Sequence, residues 1–207
     1  DGTVISDAGS VTAQTTGGLT YAVVLTFTVE EAAALNSAGT TITNGYKIVD
    51  TAAAIEAQLA TDIAADPDGT VISDAGSVTA QTTADPAVAE AVSITVEEIL
   101  ALNSAGVTLP NGYNLVDTAA AIEAQLATDI AADPDGTVIS DAGSVTAQTT
   151  ADPAVAEVLT FTVEEAAALN SAGVTFPNGY NLVDTAAAIQ AQLATDIAAD
   201  PDGTVIS

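Results

Sequence analysis

The hexapeptide "DGTVIS" begins at Asp1, Asp68, Asp135 and Asp202, so the 207-residue chain repeats itself every 67 residues. Nothing else in the sequence constrains the fold as strongly. No insertion or deletion interrupts the period, which divides the chain into units 1–67, 68–134 and 135–201, with 202–207 opening a fourth. A fixed period without drift in loop length is expected of an array in which each unit packs on its neighbours. Neither end reads as a polar cap, since Asp202–Ser207 stops on the phrase with which Asp1–Ser6 begins. The expectation is a structure that continues past both ends. It would do so as part of a longer polypeptide or through head-to-tail contact between copies.

One middle unit shows what is being repeated. "GTVIS" (Gly69–Ser73) is β-branched and follows an Asp-Pro-Asp-Gly turn signal, which predicts a strand; "SVTA" (Ser77–Ala80) continues extended. In "TADPAVAEAV", Asp85 is expected to cap a short helix with Pro86 at its first position. The first unit carries "TGGLTYAVVL" (Thr16–Leu25) instead, which reads as extended. The units differ most there, so this stretch is expected at a surface.

"SITVEEILALNSAG" (Ser93–Gly106) reads as a strand feeding a helix. Thr95 and Glu98 form a capping box, Glu97 and Glu98 suit the positive end of the helix dipole, and Gly106 is placed to end the helix. "PNGYNLVD" (Pro110–Asp117) predicts an Asn-Gly turn and a strand. In "DTAAAIEAQLATDIAADP" (Asp117–Pro134), Asp117 or Thr118 caps a long helix and Pro134 ends it. Ile122, Leu126 and Ile130 fall on one face at a spacing of four. Strands separated by helices predict an α/β fold with parallel pairing, the units stacked as an α/β solenoid. The alternative is three small α/β domains in a row. Against it, "AADPDGTVIS" runs from helix into strand with no linker, and units of this size bury little surface alone.

Composition removes whole classes of function. The chain has no Cys, His, Met or Trp, and Lys47 is its only basic side chain. A Ser-His-Asp triad, a Cys-His pair and an ordinary zinc site are all excluded. At a net charge of −27, nucleic acid and anionic membranes are repelled. The chain is nonetheless 48% hydrophobic and only 14% charged, which is not the composition of disorder. No apolar run is long enough to span a membrane. No signal peptide is visible and the first residue is Asp, so the chain reads as a mature piece or a segment of something longer. Scarce basic residues leave almost no tryptic sites, and the most oxidisable side chains are missing. Both properties suit an extracellular bulk material.

"YNLVDTAAAIEAQLA" (Tyr113–Ala127), "VISDAGSVTAQ" and "LTFTVEEAAAL" (Leu159–Leu169) resemble recurring phrases of very large bacterial extracellular proteins, cyanobacterial ones included. In these surface-layer, adhesin and calcium-binding exoproteins, "V-x-DTAA-x-I" alternates with "DAG-x-VTA". The resemblance covers essentially each whole unit. It implies an extracellular structural role and often calcium, and brings no catalytic residue. The glycine-rich nonapeptide of calcium β-rolls is absent from this sequence.

The acids are the remaining candidate chemistry. Asp129, Asp133, Asp135 and Asp141 crowd a helix end and the turn after it. Asp62, Asp66, Asp68 and Asp74 repeat them, as do Asp196, Asp200 and Asp202; Asp7 follows Asp1 at the start. Carboxylates at a helix C-terminus have the wrong sign for the dipole, and a bound Ca²⁺ would compensate. Set against this, Asp-Pro-Asp-Gly is an ordinary turn, and the acids are sparser than in an EF-hand loop. Glu97–Glu98 and Glu164–Glu165 are adjacent on a helix and diverge, so no glycosidase pair is expected. Tyr46, Tyr113 and Tyr180 each follow Asn-Gly. They read either as a periodic contact row or as rings capping the turn with the hydroxyl at solvent. Lys47 reads as a solvated lysine, and "TAQTT" is a candidate for O-linked sugar.

Two function classes follow, neither an enzyme. The first is an extracellular structural array forming a fibre, sheath or surface layer by self-stacking. The second is an adhesin repeat that engages glycan or a cell-surface partner through the variable stretch Gly17–Val23, which corresponds to Ala84–Glu90.

Overall fold

The computed structural model describes residues 10–14, 22–65, 71–84, 86–132, 138–150 and 154–199. The chain forms two compact bodies, Asp1–Asn114 and Leu115–Ser207. In the first lie strands β1 (Ser10–Val11), β2 (Ala13–Gln14), β3 (Ala22–Val23) and β4 (Leu25–Phe27), then helix α1 (Val29–Ser37). Strands β5 (Thr41–Ile42) and β6 (Tyr46–Asp50), helix α2 (Ala52–Ala65), strands β7 (Ser77–Gln81), β8 (Ala89–Glu90) and β9 (Val92–Ile94), and helix α3 (Val96–Ala105) follow. The division falls within strand β10 (Tyr113–Asp117). The second body holds α4 (Ala119–Ala132), β11 (Ser144–Ala147), β12 (Leu159–Phe161), α5 (Val163–Ala172), β13 (Tyr180–Leu182) and α6 (Ala186–Ala199).

The fold is α/β with parallel pairing, as the alternation of strand and helix predicts. In the first body β4, β6, β7 and β8 form one sheet in that order. β4 with β6 and β6 with β7 are parallel, and β7 with β8 is antiparallel. The β6–β7 register sets Lys47 opposite Ser77 and Asp50 opposite Ala80. That pairing joins the first repeat to the second. In the second body β12 and β13 pair in parallel, Leu159 opposite Tyr180.

Local chemistry builds the helices. Thr28, Thr95 and Thr162 cap α1, α3 and α5 through complete capping boxes with Glu31, Glu98 and Glu165. In the second of these, Thr95 N donates to Glu98 Oε2 at 2.7 Å and Glu98 N donates to Thr95 Oγ1 at 3.3 Å. Gly106 ends α3 at φ 74°, a left-handed conformation that costs a side-chain-bearing residue about 1 kcal/mol. Thr118 caps α4, its Oγ1 accepting from Ala121 N. Ile122 and Leu126 face the core as their spacing predicts. Pro134 and the side chain of Ile130 lie outside the described residues.

Two expectations are corrected. The predicted strand "GTVIS" is a turn over Val71–Asp74, and Val138–Asp141 repeats that turn; Gly69 and Thr70 lie outside the described residues. The backbone there is claimed by side chains and by Ala75 N, which donates to Ile72 O at 3.1 Å, so it joins no ladder. Nor do Pro86–Val88 form a helix; Asp85 itself lies outside the described residues. Here β7 turns back into β8 as a hairpin. Thr82 N donates to Val88 O at 2.8 Å, and Val88 N donates to Thr82 Oγ1 at 2.9 Å. Thr149 and Val155 close the same hairpin in the third repeat. Val88 and Val155 are exposed, so the variable stretch does reach a surface there.

Core burial follows the repeat until the third unit. Ile55 and Leu59 on α2, and Ile122 and Leu126 on α4, are fully or almost fully buried. Their counterparts on α6, Ile189 and Leu193, are only half-buried, and Val183 beside β13 is 64% exposed. Among the described residues, nothing covers that face of the third repeat as β7 and the Val71–Asp74 turn cover the first.

Candidate functional site: the junctions between repeats

In the first body, helix α2 of repeat one grips the opening turn of repeat two through a buried carboxylate. Asp62 Oδ1 accepts from Gln58 Nε2 at 2.6 Å, and Asp62 Oδ2 accepts from Ile72 N at 2.8 Å. Ile72 itself is fully buried. From β6, the Tyr46 hydroxyl donates to Val71 O at 2.6 Å. Two glutamates tie the repeats further. Glu56 Oε1 accepts from Ser93 N at 2.6 Å, and Glu90 Oε2 accepts from Ala52 N at 3.4 Å. The last places a negative charge at the N-terminus of α2, where unpaired N–H groups and the helix dipole favour it.

The second body repeats the arrangement 67 residues on. Asp129 accepts from Gln125 Nε2 at 2.5 Å and from Ile139 N at 3.0 Å. Glu123 Oε1 accepts from Thr160 N at 2.9 Å, and Glu157 Oε2 accepts from Ala119 N at 3.1 Å. Gln148 N adds a backbone bond to Asp117 O at 2.9 Å. In a chain with one lysine, these six acids therefore have an internal partner. Backbone N–H groups of the neighbouring repeat take the place that Lys or Arg would hold elsewhere.

Asn residues lock the same region within each repeat. Asn44, Asn111 and Asn178, read from sequence only as turn formers, each donate Nδ2 to the carbonyl of Ala13, Ala80 or Ala147. The sequence signal for the Asp62 bond was present: Gln58, Gln125 and Gln192 stand four residues before Asp62, Asp129 and Asp196. Among the described residues, no buried side-chain nitrogen or oxygen lacks a hydrogen-bond partner.

The candidate calcium ligands distribute unevenly. Asp62 and Asp129 are buried, with both oxygens on protein donors. Asp196 is half-buried and accepts from Gln192 Nε2 at 2.7 Å, and Asp141 is exposed. Asp66, Asp68, Asp133, Asp135, Asp200 and Asp202 lie outside the described residues. Among the described residues, no three acids converge as a metal site.

Asp74 lies near Asp62. The residue is exposed as a whole, but partial desolvation of its carboxyl, and then the Asp62 charge, hold that carboxyl above the usual range. A raised carboxyl keeps its proton to higher pH in the fold than in the unfolded chain. The stability it contributes therefore falls as pH rises through the carboxylate range. Asp74→Asn removes the charge, so it is expected to raise the urea midpoint at pH 7 slightly, since solvent screens an exposed carboxylate, and to leave it nearly unchanged near pH 3. A gain that is the same at both pH values would contradict this.

The tyrosines correct another expectation. Tyr46 and Tyr113 are buried. The Tyr46 hydroxyl is not at solvent but bonded to Val71 O across the repeat border. Burial, with Asp74 and Asp62 adding to it, pushes its ionisation well above the ordinary value. Phe27 meets it edge-on at 5.9 Å. Tyr180 is half-buried against Phe161 and Phe176, with centroids 5.3 Å away in each case. Tyr46→Phe leaves Val71 O without its donor and is expected to cost about 1–2 kcal/mol, read from urea unfolding. Lys47 is exposed, as a solvated lysine should be.

A cavity of about 390 Å³ opens in the first body beside Phe27, Leu35, Asn36, Thr40, Tyr46 and Asp74. Its walls include Ala32 and Ile42, at positions where repeat two has Ile99 and Leu109. Repeat three has Phe176 at the position of Ile42, packed on Phe161 at 5.2 Å. No protein-family model matches the chain, and no curated protein or solved structure matches it either.

Proposed function

We propose that the chain is an extracellular structural repeat protein whose units stack head to tail, as an α/β solenoid with parallel strands, into a fibre, sheath or surface layer. One observation carries this reading. The face of α2 and β6 that repeat two covers in the first body recurs on α6 and β13, where it is half-buried and, among the described residues, carries no neighbouring repeat. The acidic composition, the near-absence of basic residues and the resemblance to bacterial exoprotein repeats support a place outside the cell. The reading assigns no catalysis, and its partner is another repeat of the same kind. In the described residues no helix is long and apolar enough to cross a membrane.

Calcium enters this reading through Asp66, Asp68, Asp133, Asp135, Asp200 and Asp202, together with Asp74 and Asp141. Asp62 and Asp129 already serve protein donors. The alternative, an adhesin repeat engaging glycan or a cell-surface partner, rests on the cavity of the first repeat. Electron microscopy of the concentrated chain, beside glycan-array binding of the same sample, separates the two. Threads or sheets without glycan binding support the structural reading; glycan binding by particles that stay single would overturn it.

A further inference from the structure

We infer that the open edge of β13 receives the strand Ser10–Gln14 of a second copy of this chain, with Asn181 opposite Ser10 and Asp184 opposite Ala13. The inference rests on the stacking reading and specifies its contact. The register comes from the first body, where Lys47 lies opposite Ser77 and Asp50 opposite Ala80. Both partners recur in sequence. "SVTAQ" stands at Ser10–Gln14 as at Ser77–Gln81, and "YNLVD" stands at Tyr180–Asp184 as at Tyr113–Asp117.

The incoming strand is already shaped for the contact. In the second repeat, β7 takes β8 as its hairpin partner and bridges Thr108 through Ser77, keeping its other edge for β6. In the first repeat, β2 takes β3 and β1 takes β5, which is the same set of partners. The edge corresponding to the one β6 occupies has no strand on it among the described residues. On the receiving side, β13 pairs only with β12 among the described residues, and Val183 just beyond it is exposed. Two open edges with matching side-chain alternation are what strand addition requires.

Two substitutions make a junction between copies differ from the internal ones. Gln190 stands where α2 and α4 carry Glu56 and Glu123, and it keeps an oxygen that accepts an N–H. Val23 stands where Glu90 and Glu157 accept from Ala52 N and Ala119 N, so Ala186 N of the preceding copy would gain no such carboxylate. Contact between copies is therefore weaker than contact within the chain, and Val23→Glu should tighten it.

The chain has no cysteine, which makes cross-linking a clean test. The variant carrying Ser10→Cys with Asn181→Cys, oxidised at high concentration, is expected to give a reducible ladder of dimers, trimers and larger species on a denaturing gel. Either single variant should stop at dimer. Lys47→Cys with Ser77→Cys reports, within one chain, whether this register closes a disulfide. Val23→Glu should lower the concentration at which light scattering detects assembly by several-fold. Assembly without a ladder, while the internal pair closes, would overturn the β13 register and leave stacking standing. Should the internal pair stay open, an unchanged or raised threshold for Val23→Glu would overturn the register instead. A chain that stays monomeric at every concentration would overturn the second copy as occupant.

Discussion

Replacing Asp62 by Ala is expected to destabilise the first body by about 2–4 kcal/mol, because it strands the Ile72 N–H and the Gln58 amide at a buried site. Asp129→Ala should cost about the same in the second body, where Ile139 N and Gln125 lose their acceptor. The two sites share no partner, so the double variant should show close to the sum. Asp62→Asn is the informative control. An Asn oxygen still accepts from Ile72 N, and the Gln58 amide can turn to accept from Asn Nδ2, so the cost should fall to about 1 kcal/mol. Urea unfolding followed by circular dichroism reads all four variants. Equal losses for Asn and Ala would show that the negative charge, not the hydrogen-bond geometry, holds the turn.

A second large effect separates the first two repeats from the third. Ile55 and Ile122 are fully buried, so Ile55→Ala and Ile122→Ala should each cost about 2–5 kcal/mol. Ile189 has the same helix position but is half-buried. Ile189→Ala should cost about 1 kcal/mol in the dilute chain, since less apolar surface leaves water there on folding. Under assembling conditions its cost should rise towards that of the other two. Unfolding at two protein concentrations checks this. An Ile189→Ala penalty equal to that of Ile55→Ala in the monomer would mean that the third repeat is already covered.

Much of the local structure was legible because neighbouring residues determine it. Thr95 and Glu98 satisfy each other's N–H within one turn, and Gly106 and Gly112 take positive φ at the positions where a helix ends and where a turn leads into β10. The strands "SVTA" and "YNLVD" needed only their alternation. What was missed depends on residues far along the chain. "GTVIS" has strand propensity, yet Asp62, ten residues before Ile72, takes the N–H that a ladder would use. "TADPAV" has a helix-cap pattern, yet the Thr82–Val88 bonds fold it into a hairpin. The Tyr46 hydroxyl looked solvent-bound because its acceptor, Val71 O, belongs to the next repeat. Asp62 reads from sequence either as a cation ligand or as an acid beside an ordinary turn, and its bond to Ile72 N, like those of Glu56 and Glu90 to Ser93 N and Ala52 N, depends on a partner in the other repeat.

Stacking is tested most directly by the melting temperature as a function of repeat number, in chains of two, three, four and six repeats at one dilute concentration. Where each unit is stabilised by nearest-neighbour contacts, every added repeat contributes its own stability plus one junction. The account predicts a melting temperature that climbs steeply from two repeats to four and then levels off, with one cooperative transition throughout. Asp62→Ala and its counterparts in every repeat should flatten that climb. A melting temperature independent of repeat number would contradict the account, because only self-sufficient domains in a row behave that way.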